Sequence, residues 1–292
     1  MKFSIITITY NRAHIISSTI QSVLSQSYTN FEHIIIDDGS TDNTKEIIDS
    51  FRDDRLRYFY YDKQEKRSYL RNQGLKKAAG DVICILDSDD IWMKEKLEVL
   101  SNIFTSEKEA TIIFHNVIEI NAAKKERKLY NYIEDVYLDG TKEILKNKLL
   151  PFPFYSFKKS ILQSVKSYNE ETIDGQQDFL LRISTKYRFY FCSKVLATKI
   201  EHKENLSQIK QVNQLIDYKK SIDFLLKNKH ITRKQHLRTL QEINFKIARI
   251  YANKKNKKLA FKYILIILKE PPFLSVNYFK TVLLLFKVIL RF

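Results

Sequence analysis

Glycine and proline are scarce in this 292-residue chain, at 5 and 4 residues. That leaves no glycine-rich loop of the Walker or dinucleotide type, so a phosphate, if bound, is held by another device. The two cysteines, Cys84 in an apolar run and Cys192 in an aromatic segment, lack metal-ligand spacing and are predicted to sit reduced in the core of an intracellular protein. No apolar run is long and lysine-free enough to span a bilayer. No signal peptide precedes the first strand, which opens at Lys2-Phe3-Ser4-Ile5-Ile6, and a cytoplasmic location is expected. Acidic residues are outnumbered, 34 against 50 basic, for a net charge of +16, and residues 203–292 are rich in lysine. Such a surplus suits an anionic partner. With no zinc finger, no RNP-like strand pair and no basic heptad region, nucleic acid is not expected, and a membrane surface is.

What the chain does hold is an acidic cluster, Asp87-Ser88-Asp89-Asp90, directly after the apolar run Val82-Ile83-Cys84-Ile85-Leu86. A buried strand ending in three carboxylates puts negative charge where an open α/β sheet has its ligand crevice. Like charges at that spacing must be solvated, paired or placed on a hard divalent cation, Mn²⁺ or Mg²⁺, whose shell a substrate diphosphate can complete. The plainer alternative is an acidic turn with Asp90 as the N-cap of the next helix.

The order of elements weighs between the two. Phe3 to Thr9 reads as a strand, followed by the loop Tyr10-Asn11-Arg12 and a helix carrying Ile15, Ile16, Ile20, Val23 and Leu24. His33 to Ile36 is a second strand ending in Asp37-Asp38-Gly39, with Ser40-Thr41-Asp42 expected to cap a helix. Leu56 to Tyr61 is a third strand, and Tyr69 to Ala79 a helix with Gly80 as its C-cap. Strands alternating with helices give a mostly parallel α/β sheet flanked by helices, and two strands ending in acids should aim both at one pocket. Ala110 to His115 is a further strand. The aromatic, proline-punctuated segment Leu149 to Phe157 either lines a pocket or packs as an irregular core loop, and a helix from about Asp178 to Lys186 precedes the strand Arg188 to Phe191.

From about residue 208 the pattern becomes long and helical, giving a basic C-terminal α-helical extension, residues 208–292, after a catalytic domain of residues 1–207. The stretch 245–265 reads as a helical hairpin. On a helical wheel of residues 273–292, Asn277, Lys280, Lys287 and Arg291 fall within roughly 80° of one another with apolar residues around the rest, Leu284 excepted. A cationic strip on a wide apolar helix suits a bilayer interface; the alternative is a terminal helix docked on the protein's own core.

The ordered motifs Thr9-Tyr10-Asn11-Arg12, Asp37-Asp38-Gly39-Ser40-Thr41-Asp42, Arg71-Asn72-Gln73-Gly74, Gly80-Asp81 and Leu86-Asp87-Ser88-Asp89-Asp90 resemble the family 2 glycosyltransferases with the GT-A fold, over roughly residues 1–207. The resemblance implies an inverting, metal-dependent transfer of a sugar from a nucleoside diphosphate sugar, a UDP-sugar by the family's usual choice, to a hydroxyl of a lipid-linked or polysaccharide acceptor. It implies cell-surface glycan synthesis, of capsule or lipopolysaccharide type, by an enzyme peripheral at the inner face of the cell membrane. Donor binding falls to Thr9, Tyr10, Arg12, Asp38, Arg71, Asp87 and Ser88: Tyr10 and Asp38 toward the nucleobase, Arg12 and Arg71 toward base or diphosphate, Asp87 toward ribose and sugar. Asp89 matches the direct metal ligand, Asp90 supports it, and His202 in Ile200 to Ser207 resembles a residue reaching metal or diphosphate. The family's catalytic base precedes a helix bearing a Leu-Arg pair. Aligned without a gap on Leu181-Arg182 that position is Gln176, which takes no proton; a two-residue shortening puts Asp178 there, with Asp174 as the alternative. Gln176 keeps a second reading open, a catalytically silent nucleotide-sugar-binding module recruited to a membrane assembly. A nucleotidyltransferase is disfavoured, because Thr9-Tyr10-Asn11-Arg12 has no glycine.

Overall fold

Ile5, Ile6, Ile34, Ile35, Ile36, Val82, Ile83 and Cys84 are all buried. Runs of that kind form strands covered on both faces, which parallel crossovers provide. In the computed structural model, residues 1–64, 66–121, 123–146, 153–200, 208–269 and 283–284 are described. The chain divides into two compact units, Met1–Asn205 and Leu206–Phe292.

The first unit begins β1 (Phe3–Thr9), α1 (Ile16–Leu24), β2 (Phe31–Asp38), α2 (Thr44–Asp49), β3 (Leu56–Tyr61), α3 (Arg67–Lys77), β4 (Val82–Asp87). It continues β5 (Ile91–Trp92), α4 (Lys96–Ser106), β6 (Ile112–Ile120), β7 (Glu126–Lys128), β8 (Val136–Leu138), α5 (Gly140–Leu145) and β9 (Tyr155–Lys158). After a single 3₁₀ turn come α6 (Leu162–Val165), α7 (Gln176–Ser184) and β10 (Phe189–Ile200). The strands make one sheet in the order β3-β2-β1-β4-β9-β6-β10-β5, with β7 on β6 and β8 on β10. The β1–β2, β1–β4, β2–β3 and β6–β10 pairings are parallel. This is the mostly parallel α/β sheet flanked by helices that the alternation of elements predicts.

Several local expectations change. Tyr155 to Phe157 is neither pocket lining nor irregular loop: it is the core of β9, a central strand antiparallel to both neighbours, Cys84 facing Ser156 and Ser156 facing Ile113. Residues 149–152 of that segment lie outside the described residues. Asp90 is not a helix N-cap, since β5 follows it and α4 starts only at Lys96. Gly80 does not cap α3, which ends at Lys77 with Ala78 as its C-cap; it packs where a Cβ would stand 2.7 Å from the Lys2 carbonyl and the Ser4 nitrogen. Asn43 is the residue before α2, and Asp42 acts from one position earlier by accepting the Thr44 N–H at 3.1 Å. Cys84 and Cys192 are free and buried, as expected.

The second unit holds α8 (Gln208–Lys227), α9 (Arg233–Asn253) and α10 (Lys257–Lys269). Thr232 and Gln235 form a reciprocal capping box at the start of α9. Ala248, Ala260 and Ile264 make the core of the α9–α10 hairpin, which the sequence spacing anticipates. The terminal stretch 273–292 lies outside the described residues apart from Leu283 and Leu284; Leu284 packs against that core. Among the described residues no helix is long and apolar enough to cross a membrane.

Gly74 faces β1 so closely that a Cβ would stand 2.5 Å from Cγ2 of the fully packed Ile6. Gly74→Ala is expected to lower stability by about 1–3 kcal/mol in urea unfolding through overpacking, outweighing a helix-propensity gain of up to ~1 kcal/mol. Unchanged stability would mean that α3 shifts freely on the sheet.

Candidate active site

Register brings the acidic strand ends together. Thr9 lies opposite Asp37 and Ile8 opposite Asp87, so β2 and β4 deliver their carboxylates to the same edge on either side of β1. Thr9, the last residue of β1, is buried, and its hydroxyl has no hydrogen-bond partner among the described residues.

At the end of β4, one carboxylate oxygen each from Asp87, Asp89 and Asp90 lie within 4.8 Å of one another. Asp87 and Asp89 are partly exposed and Asp90 is buried. Loss of hydration pushes Asp87 up to about 6, with Asp89 and Asp174 adding repulsion against the pull of Arg67 and Arg71. Asp90 is raised well above the ordinary carboxylate range, again by burial first and then by Asp87 and Asp89, with Lys199 opposing. Arg12 Nη2 lies 3.8 Å from Asp89 Oδ2. An all-oxygen set crowded enough to resist ionisation fits a hard divalent cation.

The turn that displays these acids is braced by α1. Thr19 donates from its hydroxyl to the carbonyls of Ser88 and Asp90, both at 3.0 Å. Ser22 accepts the Trp92 N–H, while Gln26 donates to the Met93 carbonyl and accepts the Leu97 N–H. These three residues were not among the candidates. Thr19 and Ser22, three residues apart, share one face of α1, and Gln26 lies just beyond its end.

Asp37 is spent on structure, accepting the Ser40 N–H and the Tyr58 hydroxyl, each at 2.8 Å. Asp38 accepts the Gln64 N–H at 2.7 Å and pairs with Lys63 at 2.7 Å. Tyr10 is 42% exposed on the loop after β1. The adjoining loops are stitched together: Asn11 N–H donates to the Ser40 hydroxyl, Arg12 N–H to the Thr44 hydroxyl and Ala13 N–H to Asp42.

Arg71 is 1% exposed and bonds both the main-chain carbonyl and the carboxylate of Asp174, the latter at 3.1 Å. Ser68 donates to the Thr172 carbonyl, and Asn72 exchanges hydrogen bonds with the Tyr168 backbone, so α3 tethers the loop leading into α7. That helix starts at Gln176, two residues earlier than the spacing predicts. Gln176 is buried, and its Oε1 has no hydrogen-bond partner among the described residues. Asp178 is paired with Arg182 one turn on, at 2.8 Å. Arg182 in turn bonds the Val165 and Ser167 carbonyls. His202 lies outside the described residues.

A mostly parallel sheet flanked by helices, with its acids gathered beyond one edge, is the arrangement of the GT-A fold. The Glycosyl transferase family 2 model matches residues 4–168, and the chain belongs to that family. Among curated relatives, the Escherichia coli UDP-Glc:alpha-D-GlcNAc-diphosphoundecaprenol beta-1,3-glucosyltransferase WfgD is 44% identical over 96 residues, 33% of this chain and 38% of that protein. Glycosyltransferase GlyG of Streptococcus pneumoniae is 29% identical over 213 residues, 68% of this chain and 66% of that protein. The chain thus spans well under two thirds of the first of these relatives. Staphylococcus aureus TarS 1-349 superposes with a TM-score of 0.63 at 20% identity, over 86% of this chain and 83% of that one, and TarS 1-349 in complex with UDP-GlcNAc gives 0.62.

An acid raised in the folded state costs stability once it ionises. Below about pH 4 Asp87 is protonated folded or unfolded; between about 4 and 6 only the unfolded form releases its proton, so its contribution falls as pH rises. Asp87→Asn should therefore gain stability relative to wild type across that window in metal-free buffer, on the order of 2 kcal/mol by urea unfolding. A pH-independent difference would mean that Asp87 is not strained by its neighbours.

Proposed function

We propose that the protein transfers a sugar, with inversion, from a UDP-sugar to a hydroxyl of a lipid-linked or polysaccharide acceptor in bacterial cell-surface glycan synthesis, capsule or lipopolysaccharide among them. The observation that carries this reading is the Asp87, Asp89 and Asp90 cluster at the sheet edge, within 4.8 Å and beside Arg12. The UDP-GlcNAc held by the structurally similar TarS and the diphosphoundecaprenol acceptor in the name of WfgD support donor and acceptor class.

In this reading Tyr10 stacks on the base and Asp38 accepts its imide N–H, with Thr9 and Ser88 lining the donor and Asp87 beside ribose and sugar. Asp89, supported by Asp90 and with His202 a further candidate, would hold Mn²⁺ or Mg²⁺, which when bound stabilises the charge growing on the diphosphate. Arg12 faces the same oxygens from the other loop. Transfer needs a base to take the acceptor's proton as its oxygen bonds to the sugar's anomeric carbon and the bond to the diphosphate breaks. Of the two candidates, Asp174 acts on Asp87 while Asp178 is turned along α7 to Arg182, so we assign Asp174 as base and Arg71 as the residue positioning it. Residues 1–207 form the catalytic domain, and the basic region 208–292 brings it to the inner face of the membrane.

A second reading, the catalytically silent nucleotide-sugar-binding module, is favoured by one observation: the residue opening α7, where the family has its base, is an amide. Turnover separates the two. With a panel of nucleotide sugars, Mn²⁺ and membrane lipid extract, nucleoside diphosphate release is expected from one donor. Asp89→Ala should abolish it, and Asp174→Asn should reduce kcat by about 10²–10⁴-fold, a larger loss than Asp178→Asn. The reverse ranking returns the base to Asp178, and metal-dependent binding without turnover supports the silent module. Removing residues 273–292 should release the protein from anionic liposomes in co-sedimentation; undiminished binding would place the contact elsewhere.

A further inference from the structure

The base end of the crevice holds a side chain that no motif marks. Lys63, in the loop between β3 and α3, places its Nζ 3.1 Å from the centre of the Tyr10 ring and 2.7 Å from Asp38 Oδ2. The other oxygen of Asp38 is taken by the Gln64 backbone N–H. An ammonium is thus lodged between an accessible aromatic face and a carboxylate that is only 9% exposed. The backbone fixes this placement. Gly39, at φ +79°, lies so near that a Cβ there would stand 2.8 Å from the Lys63 nitrogen and 3.2 Å from its Cα.

A base that stacks on Tyr10 and gives an N–H to Asp38 Oδ2 needs the space this ammonium fills, since stacked rings themselves need about 3.5 Å. The two must exchange places. Leaving is easy for Lys63, because a cation–π contact and a single ion pair at a half-exposed side chain are both weak. Its flexible stem and three N–H donors then keep the ammonium beside the edge of the incoming base, next to the N–H that replaced it.

We infer that Lys63 reads the donor's base: its ammonium holds the base's place on Tyr10 and Asp38, yields it, and then donates to the carbonyl flanking the base's N–H. This rests on the nucleotide-sugar reading above. A keto base such as uracil, or guanine, offers N–H beside C=O and satisfies both Asp38 and Lys63. In the pose that uracil takes, cytosine would turn its N3 lone pair to Asp38 and its amino group to the ammonium, an acceptor against an acceptor and a donor against a donor.

Calorimetric titration of UDP and CDP into the full chain, wild type, Lys63→Ala and Lys63→Gln, tests the assignment. Wild type should prefer UDP. Lys63→Ala should weaken UDP about tenfold and CDP little, shrinking the preference by about tenfold, and Lys63→Gln, which keeps an N–H donor, should recover part of it. An unchanged UDP-to-CDP ratio in Lys63→Ala, or tighter UDP binding, would overturn the inference and leave Lys63 a mere plug. If neither nucleotide binds wild type, the donor-site reading itself fails and takes this one with it, so the two failures are told apart.

Discussion

Three carboxylates held within 4.8 Å at the end of a buried strand are the constraint on which the rest of the first unit depends. Hydration lost to burial outweighs the cations around them, which is why Asp87 and Asp90 are raised despite Arg67, Arg71 and Lys199. Lys96, although it acts on Asp90, is a poor counter-charge. It is buried over the Trp92 ring at 3.8 Å, and burial pushes its own value down to about 7. Arg12 stands 3.8 Å from Asp89, too far for a close pair. Among the described residues, burial thus outweighs these cations at Asp87 and Asp90, the condition under which a divalent ion adds most.

Keeping that arrangement requires polar groups in places normally given to apolar ones. The buried face of α1 packs Ile16, Ile20 and Val23 into the core and also directs Thr19 and Ser22, with Gln26 just past the helix end, at the backbone of residues 88–97. Each satisfies a main-chain group that would otherwise be buried and unpaired, at a cost of about 1–3 kcal/mol. On the other side, Ser68, Arg71 and Asn72 on α3 do the same for residues 168–174. The acidic turn and the approach to α7 are thus held by two helices that carry none of the acids themselves.

This division explains what could be read from the sequence. Continuous apolar runs announce β1, β2 and β4, and acids placed directly after two of them announce the crevice, because both signals are local. β3 keeps the predicted span from Leu56 to Tyr61. β9 could not be foreseen: four residues after a proline-broken stretch become a strand only because β4 and β6 leave room between them. The braces Thr19, Ser22 and Gln26 were equally hidden, since polar residues on an amphipathic helix read as a solvent face until the neighbouring turn is in place. Lys63 belongs with them, one lysine among many until the loop brings it over Tyr10.

The start of α7 joins these threads. Gln176 occupies the position that the gapless register gives to the base, yet its buried Oε1 lacks a partner among the described residues, and an amide can neither accept the acceptor's proton nor repel Asp87 as a carboxylate would. An acid at that point would add a further negative charge to a region where burial already outweighs the cations. Asp174 can stand nearby because Arg71 holds it through both main chain and side chain, and the same guanidinium pulls Asp87 down. One buried arginine thus serves both Asp87, proposed to lie beside the donor, and Asp174, proposed to act on the acceptor. That double duty is the physical reason for an arginine there: a lysine offers a point charge, whereas the planar fork bonds carbonyl and carboxylate together.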